Sequence, residues 1–243
     1  MDQMSILAAS GMQARMQSLD LVANNMANAS TSGYKGDSEF YTVFTSEAAA
    51  DDPTNDPAAL PMIQRQWTDF SQGLLEPTDN PSDLALSGKG FFVVQGASGP
   101  LYTRNGSFHV SPDGTLVNSD GYALLAQDGQ AFQADANHRI EVATDGTVRQ
   151  SGQDLGKLQL ASFNDTSILV KQGSSYFRNP TTQAPADATD AQVHQGKVEA
   201  SNANAAHGAV RLVGVLRQFE MMRKSVTLAD DMDRKAIEEV AKV

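Results

Sequence analysis

Two segments at opposite ends of the chain carry apolar side chains at helical spacing, and such stripes must be buried or the helices stay marginal in water. In the first, residues 2–29, Met12, Met16, Leu19, Ala23 and Met26 recur at alternating intervals of four and three, with Val22 widening the stripe. Val22 is the only β-branched residue from Ser10 to Ala29, and no proline interrupts the run. Asn28, Ser30, Thr31, Ser32 and Gly33 then end it, by competing for backbone hydrogen bonds or permitting positive φ. In the second, residues 201–241, Ser201, Asn202 and Asn204 offer N-cap side chains. Val210, Val213, Leu216, Phe219, Met222, Val226, Ala229, Met232, Ala236 and Val240 follow at spacings of three or four. Glu220–Lys224, Asp230–Arg234, Asp231–Lys235 and Glu238–Lys242 place acid before base at i,i+4, worth ~0.2–0.5 kcal/mol each. A helix of this length is ~60 Å long, more than a compact β domain needs as a cover. The two helices are expected to pair and still leave apolar, methionine-rich flanks open to neighbouring copies.

The middle of the chain has another character. Short β-rich runs alternate with glycine turns: Phe91–Val94, Leu101–Arg104, Ser107–Val110, Leu116–Asn118, Tyr122–Leu125, Ile140–Val142, Leu158–Phe163 and Tyr176–Arg178. Asp113–Gly114, Asp128–Gly129 and Asp145–Gly146, with Asp120–Gly121 as a fourth candidate, have the tight-hairpin dipeptide. Spacing of this kind predicts an antiparallel sandwich or barrel. Residues 46–61, rich in Ala, Asp and Pro, and residues 179–190 read as loose connectors. The fold class predicted is α+β: terminal helices paired as a coiled-coil-like stalk, with a central antiparallel β-rich domain.

Composition removes several function classes. The chain has no cysteine, which excludes disulfides, thiolate metal sites and cysteine nucleophiles. Its net charge of −11 argues against nucleic acid as a partner. Residues 199–243 hold seven basic and seven acidic side chains, while residues 41–198 hold 9 basic and 18 acidic. An acidic middle between near-neutral ends suits association through the ends. No apolar run approaches the ~18–20 residues of a membrane-spanning helix, so no membrane insertion is expected. The N-terminus lacks the basic start and apolar block of a cleaved signal. His109, His138, His194 and His207 form no ligand motif. Ser32-Gly33-Tyr34-Lys35 matches Ser-x-x-Lys but sits where a helix ends, without an accompanying Lys-Thr-Gly. Gly88-Lys89-Gly90 lacks the remaining positions of a phosphate loop. The reading is a non-enzyme with no catalytic residue, cofactor or metal.

Three segments together resemble the flagellar hook–basal body family of axial proteins. The first runs from Leu21 through Asn24, Asn25 and Asn28 to Gly33-Tyr34-Lys35. The second joins Asp83–Leu86, Gly90–Val94, Tyr102–Phe108 and Asp113–Val117. The third is Gly196–Asn204 followed by Arg217–Met221. The resemblance implies a rod, hook or hook-associated subunit, exported by the flagellar type III apparatus without a cleaved signal and located in the periplasmic rod of the basal body. Its partners would be other copies of itself, neighbouring rod proteins, the export apparatus and rod-associated ring proteins. It implies an inner helical domain from residues 1–32 and 199–243, an extended connector over 33–75 and a β-rich outer domain over 76–198. Expected subunit-interface residues are Met12, Met16, Leu19, Val22, Met26, Val213, Leu216, Phe219 and Val226. Asn24, Asn25, Asn28 and Gly33 are expected to form the turn by which the chain leaves the packed helices. The Phe219-Glu220-Met221 and Ser225–Asp233 stretches look closest to the proximal rod type, while Leu158–Phe163 resembles the distal type. Readings of other classes stay open on the residues alone: a secreted glycan-binding β module, or a hydrolase with its carboxylates among the turns.

Overall fold

The computed structural model describes residues 3–45, 59–135 and 138–240. The chain divides into two compact units, one of residues 1–27, 37–67 and 204–243, the other of residues 28–36 and 68–203.

The first unit contains helices α1 (Gln3–Ala27) and α2 (Ala205–Val240) and strands β1 (Asp37–Thr45) and β2 (Ala59–Thr68). The helices run antiparallel. A Cβ placed on Gly11 would lie 3.2 Å from the Met222 Cε and Sδ, and one on Gly208 would lie 3.6 Å from the Met26 Cβ. Glycine at both contacts lets the thioether chains lie over the facing helix. Asn204 caps α2 by accepting from the His207 amide at 3.1 Å. Ser201 and Asn202, the other candidate caps, bond elsewhere. Strands β1 and β2 pair as a two-stranded sheet, so the stretch 33–75 that the sequence suggests as a connector carries paired strands. The aromatic and β-branched runs flanking the Ala/Asp/Pro stretch account for this. Of the loose connector expected at 46–61, residues 46–58 lie outside the described residues, and 59–61 open β2.

The second unit is antiparallel β. In chain order its strands are β3 (Leu75–Pro77), β4 (Leu84–Ser87), β5 (Phe91–Gly96), β6 (Gly99–Thr103), β7 (Phe108–Val110), β8 (Leu116–Asn118) and β9 (Ala123–Leu124). There follow β10 (Ile140–Val142), β11 (Thr147–Gln150), β12 (Gln153–Lys157), β13 (Leu160–Ser162) and β14 (Val170–Gln172). The last are β15 (Tyr176–Arg178), β16 (Ala186–Asp187), β17 (Gln192–Gln195) and β18 (Lys197–Glu199). A nine-stranded sheet runs β14-β15-β6-β5-β9-β8-β7, with β13 on β5 and β16 on β13. A three-stranded sheet (β10-β11-β12) and two ribbons (β17–β4 and β18–β3) complete the unit. All eight strand-sized runs read from the sequence contain a strand, and the four Asp-Gly pairs sit in turns with glycine at positive φ.

β5 organises the packing. Its Phe91-Phe92-Val93-Val94 run is buried on both faces, as a central strand requires. Phe92 and Val94 enter one apolar cluster with Leu84, Phe108, Leu124 and Leu158. Phe91 and Val93 enter a second with Tyr102, Leu169 and Phe177, against which Phe70 and Phe163 pack. Phe70 lies 4.9 Å from Phe177, centroid to centroid, and Phe92 meets Phe108 edge-on at 5.5 Å. Each such side chain contributes ~1.5–3 kcal/mol of burial, so the two clusters carry the stability of this unit.

Candidate functional site

Both helices carry apolar residues on two faces. On α1 the buried face is Gly11, Ala14, Ser18, Leu21 and Val22, with Val22 only 2% exposed. At ~100° per residue, the stripe Met12, Met16, Leu19, Ala23 and Met26 lies well round the helix from it. Met12, Leu19 and Met26 are half-buried there, and Met16 and Ala23 are exposed. Among the α2 residues whose burial is described, the half-buried and buried positions are Gly208, Leu212, Val215, Phe219, Met222 and Val226, an unbroken 4-3-4-3-4 pattern. Val210, Met221, Leu228 and Met232 lie on nearly the opposite face, all exposed. The residues expected at subunit contacts therefore divide. Val22, Phe219 and Val226 lie on the covered faces of α1 and α2, while Met16, Val213 and Leu216 remain exposed.

A buried carboxylate binds this unit together. Glu39, on β1, accepts from the Ser18 hydroxyl of α1 at 2.6 Å and from the Arg211 guanidinium of α2. Ser18 is fully buried for that reason. Beside it, the Asn25 side chain mimics a β-ladder partner: its Nδ2 donates to the Asp37 carbonyl at 2.7 Å, and its Oδ1 accepts from the Asp37 amide at 2.9 Å. Of the other expected exit-turn residues, Asn24 is exposed at the end of α1. Asn28 accepts from the Thr31 amide and hydroxyl, and Gly33 turns the chain at φ +67°.

Residues 28–36 belong to the β-rich unit and lie across it as a strap. Gly33, Tyr34, Lys35 and Gly36 are all buried. The Gly33 amide donates to the Glu199 carbonyl at 2.7 Å, and the Asn202 amide to the Tyr34 carbonyl at 3.3 Å. Asn202 also accepts from the Gly36 amide at 2.7 Å and donates to the Asp69 carbonyl at 2.7 Å. Lys171 donates to the Lys35 carbonyl at 2.7 Å, with its ammonium 4.2 Å above the Tyr34 ring.

At the centre of the strap three charges meet out of water. The Lys35 ammonium lies 2.6 Å from Glu199 Oε1, and Arg104 Nη1 lies 3.1 Å from Oε2. Glu199 is fully buried and Lys35 is 1% exposed. The carboxylate also accepts from the Gly73 amide at 2.8 Å, and Lys35 donates to the Ser71 carbonyl at 2.7 Å. Arg104 Nη2 donates to the Gly88 carbonyl at 2.6 Å. One anion thus answers for two cations, an arrangement that costs several kcal/mol if the anion is lost. Burial holds the Lys35 ammonium below the ordinary lysine range, against the pull of Glu199 and with Arg104 adding to the depression. The unfolded chain therefore binds this proton more tightly than the folded one. Between the lowered value and the ordinary ~10.4, stability from Lys35 should rise with pH. We expect denaturation midpoints of the parent chain to gain on those of Lys35→Met across that window. A constant difference between the two would show that Lys35 titrates there as it does unfolded.

Residue type alone does not distinguish Lys35, Arg104 and Glu199, because charged side chains are ordinarily solvated. The signal was positional: each lies within one of the three segments that carry the family resemblance. Among the described residues no cluster of histidine and carboxylate side chains could hold a metal ion, and no helix is long and apolar enough to cross a membrane.

The same segments stand out when the chain is compared with known proteins. A family model of the flagellar hook protein FlgE/F/G D1 domain matches residues 85–150. A model of the flagellar basal body rod FlgEFG protein C-terminal region matches 194–239, and one of the flagella basal body rod protein matches 7–35. The chain is 34% identical to the flagellar basal-body rod protein FlgF of Caulobacter vibrioides over 226 residues, covering 93% of this chain and 92% of that protein. It is 32% identical to the flagellar basal-body rod protein FlgG of Buchnera aphidicola subsp. Baizongia pistaciae over 253 residues, covering 94% and 96%. With FlgF of Mesorhizobium japonicum the identity is 29%, over 93% of this chain and 94% of that one.

Proposed function

The chain belongs to the flagellar basal-body rod protein family, and from that premise we propose that it is a structural subunit of the rod, non-catalytic, assembling helically with further copies and with neighbouring rod proteins to carry torque from motor to hook. The observation that carries the assembly mode is the second apolar face on each terminal helix. The stripe through Met16 on α1 and the stripe through Met221 on α2 are different surfaces. A head-to-tail contact between them on successive copies is heterologous, and where its rotation does not close into a ring it extends as a helical filament.

In this reading α1 and α2 form a coiled-coil-like stalk, supported by their antiparallel contact and the 4-3-4-3-4 pattern on α2. The helices supply the inner helical domain and the β-rich unit the outer one. Residues 28–36 and 199–203 are better counted with the β-rich unit, as their hydrogen bonds argue. The proximal rod type is favoured by Phe219-Glu220-Met221 and residues 225–233. Passage through the flagellar export apparatus and contact with rod-associated rings follow from such a location. The test is to purify basal bodies from the source bacterium, identify this chain in them and count its copies. We expect several copies per basal body and loss of motility on deletion; full motility without the chain would overturn the proposal.

A further inference from the structure

The strap and the two apolar clusters of the β-rich unit are held by different chemistry. No residue of 28–36 belongs to either cluster. The strap is held by hydrogen bonds and charge, through Glu199, Asn202 and Lys171, and by its own fully buried Tyr34 ring beneath the Lys171 ammonium. Strand β18, which carries Glu199, pairs with β3 and lies outside both clusters. The two apolar clusters are therefore complete without the strap.

We infer that residues 28–36 are a latched strap that opens and closes as a separate cooperative element while the β core stays folded, with the Glu199 carboxylate as the latch. Closed, Glu199 holds two chain crossings at once. Its side chain takes Lys35 and its carbonyl takes the Gly33 amide, so the segment following α1 is fixed against the segment leading to α2. Opening releases both crossings together. The chain thus has a state in which its β core is formed while residues 28–36 and 199–203 are released from each other. A subunit that must fold and then join an assembly through its ends has use for such a state.

Native-state amide hydrogen exchange on the full-length chain tests this, with trypsin cleavage after buried Lys35 as a second reporter. The strap reporters are the amides of Gly33, Gly36 and Asn202; the core reporters are those of Leu125 and Leu158, bonded to the Val93 and Gly146 carbonyls. In the parent chain the strap amides should exchange at least ~10-fold faster than the core amides, relative to intrinsic rates. In Glu199→Gln, which takes from two buried cations the carboxylate bonded to both, strap protection should fall by a further ~100-fold while core protection holds. Asn202→Ala, which removes strap hydrogen bonds and keeps the ion cluster, should give the same split more weakly. Equal protection of strap and core in the parent chain, or an equal loss at both in Asn202→Ala, would overturn the inference, whether or not Glu199→Gln folds.

Discussion

Met221→Asp is expected to keep the chain out of the rod and abolish motility while leaving its melting curve in place. Met221 is 59% exposed, and it shares a face of α2 with Val210, Leu228 and Met232. That face lies nearly opposite the seam through Val215 and Phe219. The Met221 side chain lies outside the covered seam of α2, so the isolated subunit should melt as before. In an assembly the same position is proposed to be covered by a neighbouring copy. A carboxylate there would lose its hydration against an apolar stripe, at a cost of at least ~3 kcal/mol, or about a hundredfold in association at every subunit contact. Val215→Asp is the contrasting variant. Val215 is buried in the seam, and its replacement should melt the helical unit itself. The measurements are motility, recovery of the variant in purified basal bodies, and thermal unfolding by circular dichroism. Normal motility with Met221→Asp would remove the outward α2 face from the assembly.

The division of α2 into two apolar faces shows what periodicity could and could not reveal. A single stripe drawn through Val210, Val213, Leu216, Phe219 and Met222 follows every third residue and drifts round the helix, blending the covered seam with the exposed face. On α1 the obvious stripe, Met12 to Met26, is the less buried one. The buried face is built from Gly11, Ala14 and Ser18 beside Leu21 and Val22. Small residues allow close approach but carry little hydrophobic signal, and Ser18 reads as polar until its hydrogen bond to Glu39 is seen. Strands were legible where aromatic or β-branched runs fed the apolar clusters, as with Phe91–Val94 and Tyr176–Arg178, although β4, β11 and β17, which feed them through Leu84, Val148 and Val193, lie outside the eight runs. They were not where the ladder is short and polar, as in β12 (Gln153–Lys157) and β18 (Lys197–Glu199), whose pairing depends on a partner elsewhere in the chain. The ionic latch was invisible for the same reason. Lys35 and Glu199 are 164 residues apart, and no local pattern marks a charge that will be buried.

Gly33→Ala should unseat the strap. Gly33 adopts φ +67°, in the left-handed region, where a side chain costs ~1–2 kcal/mol. Strain is the smaller part. A Cβ at this position would lie 2.1 Å from the Asn105 nitrogen and 2.3 Å from the Arg104 carbonyl carbon, both backbone atoms. No side-chain rotation can relieve that overlap, so either the strap or residues 104–105 must move. Arg104 is held by Glu199 and by the Gly88 carbonyl, and it directly follows β6, which pairs within the large sheet, so the strap is the part that yields. We expect a loss of at least ~3 kcal/mol from the closed strap, combining the conformational and overpacking costs. That corresponds to cleavage by trypsin after Lys35 roughly a hundredfold faster than in the parent chain. Gly121→Ala is the matched control. Gly121 also has positive φ, at +81°, but a Cβ there meets nothing within 4 Å. It should cost only the left-handed strain, ~1–2 kcal/mol, in the turn between β8 and β9, and leave Lys35 protected. Equal sensitivity at Lys35 in the two variants would mean that backbone strain alone, and not the close seat against Asn105, is what glycine provides at position 33.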